Sequence, residues 1–405
     1  MVKENRGNFK MKTSGSVATG KDAIRQKNLS ALLREVHLER TVSRAALGEK
    51  LGLSKTTIAE LVSELDASGL VVRVGNEQSG SAGRPSQLVS ASPVPLVLVV
   101  NPEIDGLTIA LVNFFTEIVD FEYVELDSTY SVETAKALVV EYLERNRKSY
   151  VGRLHGIVLA LPGAIDNKSR RLINAPSLGW RDVDVAAEFE KQLSLKVWTI
   201  NNARAATISE HNFGAAKGLA NVICLFSGVG GIGGGIVVNN RVLEGSSGLA
   251  GEIGKIRLYA DGPRKHLSFG ELMHREEIVT ALGKTRLSDE ALDQLLLQTN
   301  DALVHKVIDA QVCVLLSAIE TLRDLFDPEA ILLGGYLGSL VESRKSQIAN
   351  TLNSTSLKHR DENFLVPRAT ELKPMVLIGA AEIAWEEILN NPLGYNQKGQ
   401  LKNGK

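Results

Sequence analysis

A chain of 405 residues, 44% hydrophobic and 23% charged, holds enough apolar material for two or three packed domains. Its two cysteines, Cys224 and Cys313, lie far apart in apolar contexts, which argues against a disulfide framework or a cysteine-based zinc site and fits a reducing cytoplasm. The net charge of −1 is uneven: residues 1–90 carry 14 Lys/Arg against 9 Asp/Glu, so a basic end sits on a mildly acidic body. That balance suits a segment meeting phosphates, and a solvated basic tail would explain it equally well. No apolar run approaches the ~20 residues of a membrane helix. The basic N-terminus lacks the apolar core of a signal peptide. A cytoplasmic protein with no membrane partner is expected.

Residues 1–20 are polar and are expected to be a disordered tail. Ile24, Leu29, Leu32, Leu33 and Val36 then recur at helical spacing. Ser43 is a good N-cap for a short helix bearing Ala46, Leu47 and Leu51, which Gly52 can end in a left-handed conformation. Ser54 caps a following helix that buries Ile58, Leu61, Val62 and Leu65 and stops near Gly69. Two short helices joined by a glycine turn predict a helix-turn-helix. Leu70–Val74 and Gln87–Val89 read as a hairpin, the wing, whose loop carries Gly83-Arg84-Pro85. An extended arginine can enter a narrow minor groove, and the first turn of a recognition helix reaches base edges in the major groove. Ser43, Arg44, Ser54, Lys55, Thr56, Thr57 and Arg84 are therefore the candidate contacts to double-stranded DNA. A small three-helix bundle with no DNA role is the alternative. The winged module is placed at residues 21–92.

From Pro95 onward strands and helices alternate. LVLVVNP, LTIALVNF and EIVDFEYVEL read as three strands, and residues 132–149 as a helix. GIVLALPGAI, then TINNARAATISE, then NVICLFSGVGGIGGGIVV read as a strand with a Pro-Gly turn, a strand-to-helix junction, and two strands about a glycine-rich turn. Long helices are expected from about Leu287 to Phe326, another strand at AILLGGYL and a last helix at LIGAAEIAWEEIL. The pattern predicts an α/β protein with mixed sheets. The span after the linker exceeds a single typical domain, so two lobes around a cleft are expected.

The stretch GVGGIGGGIVVNNRVLEGSSGLAGEIGKI resembles the signature of the ROK family (repressors, open reading frames and kinases). The layout resembles that family's Mlc- and NagC-like sugar-responsive repressors. The resemblance implies an actin-like/hexokinase-like domain of two lobes at 93–393, about 93–200 plus the C-terminal helix and about 201–375. A disordered tail is expected at 394–405.

ROK kinases hold ATP phosphates on two glycine-rich turns, since glycine lets backbone N–H groups approach phosphate oxygens. The second turn matches Gly230, Gly231, Gly233, Gly234 and Gly235, for which a packing role is the favoured alternative. The first, an Asp-x-Gly-x-Thr run, is only echoed by Asp105, Gly106 and Thr108. The catalytic base of the family is the Asp of an Asn-Asp pair, and this chain has Asn201-Asn202. An amide cannot take that proton, although Asn202 could hydrogen-bond a sugar hydroxyl. The family's sugar-contacting Glu is matched by Glu252, and its zinc-binding His is replaced by Lys255. The zinc-binding cysteines have no match, and His266 and His274 are the only soft donors nearby, so no metal and no cofactor are expected. Ser177 stands where the family's sugar-facing Asn is usual, Glu271 is aligned with a second sugar-binding Glu, and Trp180 is expected in the core. Ser177, Asn201, Asn202, Glu252, Lys255 and Glu271 are thus the candidate effector residues, with no catalytic residue. Lys255 suits an acidic sugar or sugar phosphate.

The expected function is a repressor of carbohydrate uptake or catabolism genes, gated by a small carbohydrate-like effector and acting as a homodimer or homotetramer on a palindromic operator. An active sugar kinase with an accessory DNA-binding domain is one alternative. A ligand-independent regulator controlled by a protein partner is another.

Overall fold

The computed structural model describes residues 20–76, 86–126, 129–166, 168–228, 231–258, 267–285, 287, 289–354 and 364–395. Arg84, Gly230, His266 and nearly all of both expected tails lie outside the described residues.

The N-terminal head comprises α1 (Gly20–Glu39), β1 (Thr41–Ser43), α2 (Arg44–Leu51), α3 (Lys55–Ala67), β2 (Val71–Asn76) and β3 (Gln87–Ala91). Local chemistry fixes its turns. The Ser43 hydroxyl accepts from Ala46 N at 3.2 Å and the Ser54 hydroxyl from Thr57 N at 3.1 Å, so each serine satisfies an orphan donor at a helix start. Gly52 ends α2 at φ 65°. Leu29, Leu32, Leu33, Val36, Leu47, Ile58 and Leu65 are completely buried and form the core of the head. β2 and β3 make the expected antiparallel hairpin. A third strand, β1, extends this sheet in the order β1-β3-β2 and was not expected; three residues are too short for any periodicity to register.

The body is built on two sheets. The first has the order β11-β7-β4-β5-β6, from β4 (Leu96–Glu103), β5 (Gly106–Asn113), β6 (Ile118–Glu125), β7 (Leu154–Leu161) and β11 (Val197–Asn201). Both faces are covered, which is why its central strands read as unbroken apolar runs. Leu96, Leu98 and Val100 face a core shared with α4 (Val132–Arg145) and α6 (Val185–Leu193). Val97 and Val99 face the opposite side, toward α7 (Asn202–Phe213) and α14 (Leu372–Asn390). Between these elements lie α5 (Arg147–Tyr150) and a small sheet of β8 (Ala164–Asp166), β9 (Arg171–Ala175) and β10 (Trp180–Val183).

The second sheet has the order β14-β13-β12-β15, from β12 (Val222–Gly228), β13 (Gly231–Val238), β14 (Arg241–Val242) and β15 (Ala330–Gly334). Its outer face packs against a core that includes residues of α8 (Phe269–Leu272), α9 (Arg275–Ala281), α10 (Asp289–Gln298), α11 (Ala302–Phe326), α12 (Tyr336–Ser343) and α13 (Lys345–Ser354). α11 is long and, on average, apolar enough to match a membrane span by composition, although His305, Lys306, Asp309 and Gln311 interrupt any continuous apolar run. Val304, Ile308, Val312, Leu315 and Ile319 on one of its faces are buried in this core.

Of the glycines expected in the turn, Gly231, Gly233, Gly234 and Gly235 lie in β13, and Gly230 lies outside the described residues. Gly233, Gly234 and Gly235 pair with Phe226, Leu225 and Cys224 in the β12–β13 ladder. A Cβ on Gly233 would lie 2.6 Å from Ala203 Cβ, and one on Gly235 would lie 2.3 Å from Thr207 Oγ1. Glycine therefore lets α7 lie directly on β13. On its other side α7 meets α14 as closely, since Gly379 of α14 sits against the Ala205 carbonyl.

Candidate functional site

Asn201 and Asn202 sit at the junction of β11 and α7. The Asn201 side chain caps the helix, accepting from Arg204 N at 3.0 Å, and donates to the Gly163 carbonyl at 2.9 Å. Asn202 Oδ1 accepts from Ala203 N at 2.8 Å. Where the resemblance implies a catalytic Asp, this junction presents the Asn202 amide, which takes up no hydroxyl proton.

Arg204, on the first turn of α7, was missed by the sequence reading because an arginine at a helix start looks like a solvated charge. It is only 8% exposed. Its Nη2 donates to the Gly248 carbonyl and, at 3.5 Å, to that of Ala250, on the loop leading into Glu252. Burial pulls its guanidinium below the ordinary value, while the charges of Glu244 and Glu252 act in the opposite direction.

Glu252 and Lys255 flank a short 3₁₀ turn and form an ion pair, Nζ to Oε2, at 2.7 Å. Both remain partly exposed, 32% and 70%. Ser177 is half-buried on the turn between β9 and β10. Asn201 is tied to that region through Gly163, whose Cβ position abuts the Asn174 carbonyl. Glu271 is engaged locally: its Oε2 accepts from Ser268 N at 2.8 Å and from Ser268 Oγ at 2.6 Å, a capping box on α8. These bonds hold its carboxyl below the usual range. Trp180 is buried and donates to the Tyr130 carbonyl at 2.7 Å, which places it in the core.

At the β4–β5 turn, where the resemblance implies a first phosphate loop, tyrosine hydroxyls engage two backbone carbonyls. Tyr130 OH donates to the Gly106 carbonyl at 2.7 Å, and Tyr123 OH to the Asp105 carbonyl at 3.0 Å. Burial, followed by the nearby Asp105 and Glu103 charges, pushes the Tyr123 hydroxyl up to about 12. Among the described residues no group of three or more His, Cys, Asp or Glu could hold a metal ion.

On the head, Ser54, Lys55 and Thr56 are exposed at the start of α3, with Thr57 half-buried behind them. Arg44 reaches from α2 to Gln87 on the wing at 3.2 Å. The back of the head is fixed to the body. His37 of α1 is completely buried; its Nδ1 lies 2.9 Å from the Phe114 carbonyl and its Nε2 2.9 Å from Glu382 Oε1 of α14. Asn212, at the end of α7, donates to Glu382 Oε2 at 3.2 Å. Arg34 grips Glu386 through both guanidinium ends, at 2.6 and 2.9 Å. α7 therefore runs from the candidate cleft at Asn202 to the cluster that seats the head.

Comparison with known proteins agrees with this architecture. A xylose repressor of Bacillus subtilis (strain 168) is 30% identical over 245 residues, 60% of this chain and 63% of the repressor. The match thus spans less than two thirds of that relative's length. The DNA-binding transcriptional dual regulator NagC of Escherichia coli (strain K12) is 23% identical over 92% of this chain and 95% of its own. The crystal structure of a ROK family transcriptional regulator, a homologue of the E. coli MLC protein, superposes with a TM-score of 0.72 at 22% identity, over 93% of this chain and 99% of the other. The ROK family model matches residues 104–387, from the β4–β5 turn to the last helix, and the chain belongs to the ROK family.

Proposed function

We propose that this protein is a DNA-binding transcriptional repressor of carbohydrate genes whose body is a degenerate sugar-kinase cleft that senses and does not catalyse. The carrying observation is α7. It begins at the cleft residues Asn201, Asn202 and Arg204, and it ends at Asn212 on Glu382, the acceptor that holds His37 of the head. A ligand that changes the seating of α7 has a direct mechanical route to the recognition helix. The relatives named as repressor and as DNA-binding regulator support the same reading.

In this reading Lys55, Thr56 and Thr57 enter the major groove, with Ser54 capping the recognition helix and Ser43 and Arg44 supporting it. Arg84 serves the minor groove. Ser177, Asn202, Glu252 and Lys255 line the effector site, Asn201 holds the junction, and two copies read a palindromic operator. The module limits 21–92 and 93–393 belong to this proposal. The test is an electrophoretic mobility assay with DNA upstream of the neighbouring operon. The parent should shift that DNA, and Lys55→Ala combined with Arg84→Ala should weaken binding at least tenfold. Unchanged affinity would remove the assigned recognition surface. The kinase alternative is opposed by Asn202 and by the β4–β5 turn, where Asp105, Gly106 and Thr108 stand in place of an Asp-x-Gly-x-Thr run; turnover in a coupled ATP-consumption assay on a sugar panel would restore it.

A further inference from the structure

The polar groups of the cleft are unbalanced. Neutral sugars are held largely by carboxylates, which accept hydrogen bonds from hydroxyls. In this cleft Glu252 is engaged by Lys255, and Glu271 is consumed by the cap of α8. The remaining candidate positions carry an amide at Asn202 and a hydroxyl at Ser177. Two residues past Asn202 on the first turn of α7, and within electrostatic reach of Glu252, lies Arg204, a cation only 8% exposed. Its hydrogen bonds run from Nη2 alone, and both go to carbonyls, Gly248 and Ala250. Its Nε and Nη1 make no hydrogen bond among the described residues, and neither atom is among the fully enclosed polar atoms lacking a partner. Glu244 and Glu252 are near enough to act on it through space, yet neither forms an ion pair with it among the described residues.

A buried cation without a contacting carboxylate is costly unless an anion joins it. Resting on the reading of the cleft as a carbohydrate sensor, we propose that its effector is an acidic carbohydrate whose carboxylate or phosphate group takes the unspent donors of Arg204. The sugar body lies toward Asn202 and Glu252. The bound anion neutralises a charge at the start of α7, the helix that reaches the head. Lys255, held by Glu252, plays the lesser part that its 70% exposure implies.

The test uses the full-length protein and isothermal titration at matched ionic strength. Glucuronate and galacturonate form one arm, glucose 6-phosphate a second, and glucose, galactose and xylose a third. Binding confined to the first or second arm, weakening at least tenfold between 50 and 500 mM salt, is expected, and the arm that responds identifies the anionic group. Arg204→Met should lose that binding at least tenfold and Arg204→Lys should recover part of it. The salt dependence needs no variant, so a folding defect in Arg204→Met leaves the proposal testable. Binding of neutral sugars alone, or acidic binding indifferent to salt or, in a folded Arg204→Met, to Arg204, would overturn the acidic effector while leaving the carbohydrate sensor intact. Silence in all three arms would overturn both.

Discussion

His37 and Glu382 stand 345 residues apart in the chain and 2.9 Å apart in the fold. Both ring nitrogens of His37 face acceptors, the Phe114 carbonyl and the Glu382 carboxylate. Both contacts cross between elements that are remote in the chain, α1 on one side and the β5–β6 turn and α14 on the other. The ring also stacks on Phe114 with centroids 4.4 Å apart. A buried polar contact thus joins α1 to α14.

Removing one member should cost far more than removing both. Glu382→Leu strands His37 and Asn212 without their acceptor and should destabilise the protein by about 3–5 kcal/mol in urea denaturation. The double variant His37→Leu/Glu382→Leu should recover most of that loss. If α7 and α14 carry the signal, this double variant keeps its affinity for DNA but loses its response to effector in the mobility assay.

His155 is a second buried imidazole, set between Trp198 and Trp385, and both of its ring nitrogens lack a hydrogen-bond partner among the described residues. Burial drives its value down to about 4. The unfolded chain titrates near 6.5, so between those values the unfolded state binds more protons and stability falls as pH falls. The loss should approach ~3 kcal/mol by pH 4. His155→Phe should flatten this part of the stability-versus-pH curve, and an unchanged slope would show that other groups set it.

Glu386 behaves in the usual carboxylate sense. Its hydrogen bonds with Arg34 hold its carboxyl below the ordinary value. That stabilisation is present above the unfolded value near 4.3 and is lost as pH drops through the depressed one. Proteolysis of the head–body junction should therefore accelerate on acidification in the parent. In Glu386→Gln it should already be fast at neutral pH.

Gly235→Ala would force a methyl group to 2.3 Å from Thr207 Oγ1. α7 must move away from β13, and a loss of about 1–3 kcal/mol in thermal or urea unfolding is expected. Thr207→Ala in the same chain should return part of it. If Gly235→Ala were neutral, close packing would not be the reason for glycine there.

Asn202→Asp restores a carboxylate at the start of α7, yet no sugar-dependent ATP consumption is expected from it. The β4–β5 turn would still carry Asp105, Gly106 and Thr108 in place of an Asp-x-Gly-x-Thr run.

Much of this was readable in the sequence because it is local. Ser43, Gly52 and Ser54 act within four residues, and the apolar stripe Leu29, Leu32, Leu33 and Val36 reports its own helix. The misreadings were long-range. A run of glycines signals a turn unless one knows that Ala203 and Thr207 lie above it. Glu271 resembled a sugar ligand until Ser268 claimed it, and Arg204 was invisible because its burial depends on Gly248 and Ala250. Nothing near His37 announces Glu382.

The seating of α1 on α14 also orders events during synthesis. The head ends with β3, but the surface that receives it, bearing Glu382 and Glu386, is made long after it. Domains fold as they emerge from the ribosome, N-terminal first. A chain that stops before α14 would therefore display a finished head with no place to rest. The docking therefore ties the orientation of α3 to α14: the ion pair and hydrogen bonds that seat α1 cannot form until that helix has been made.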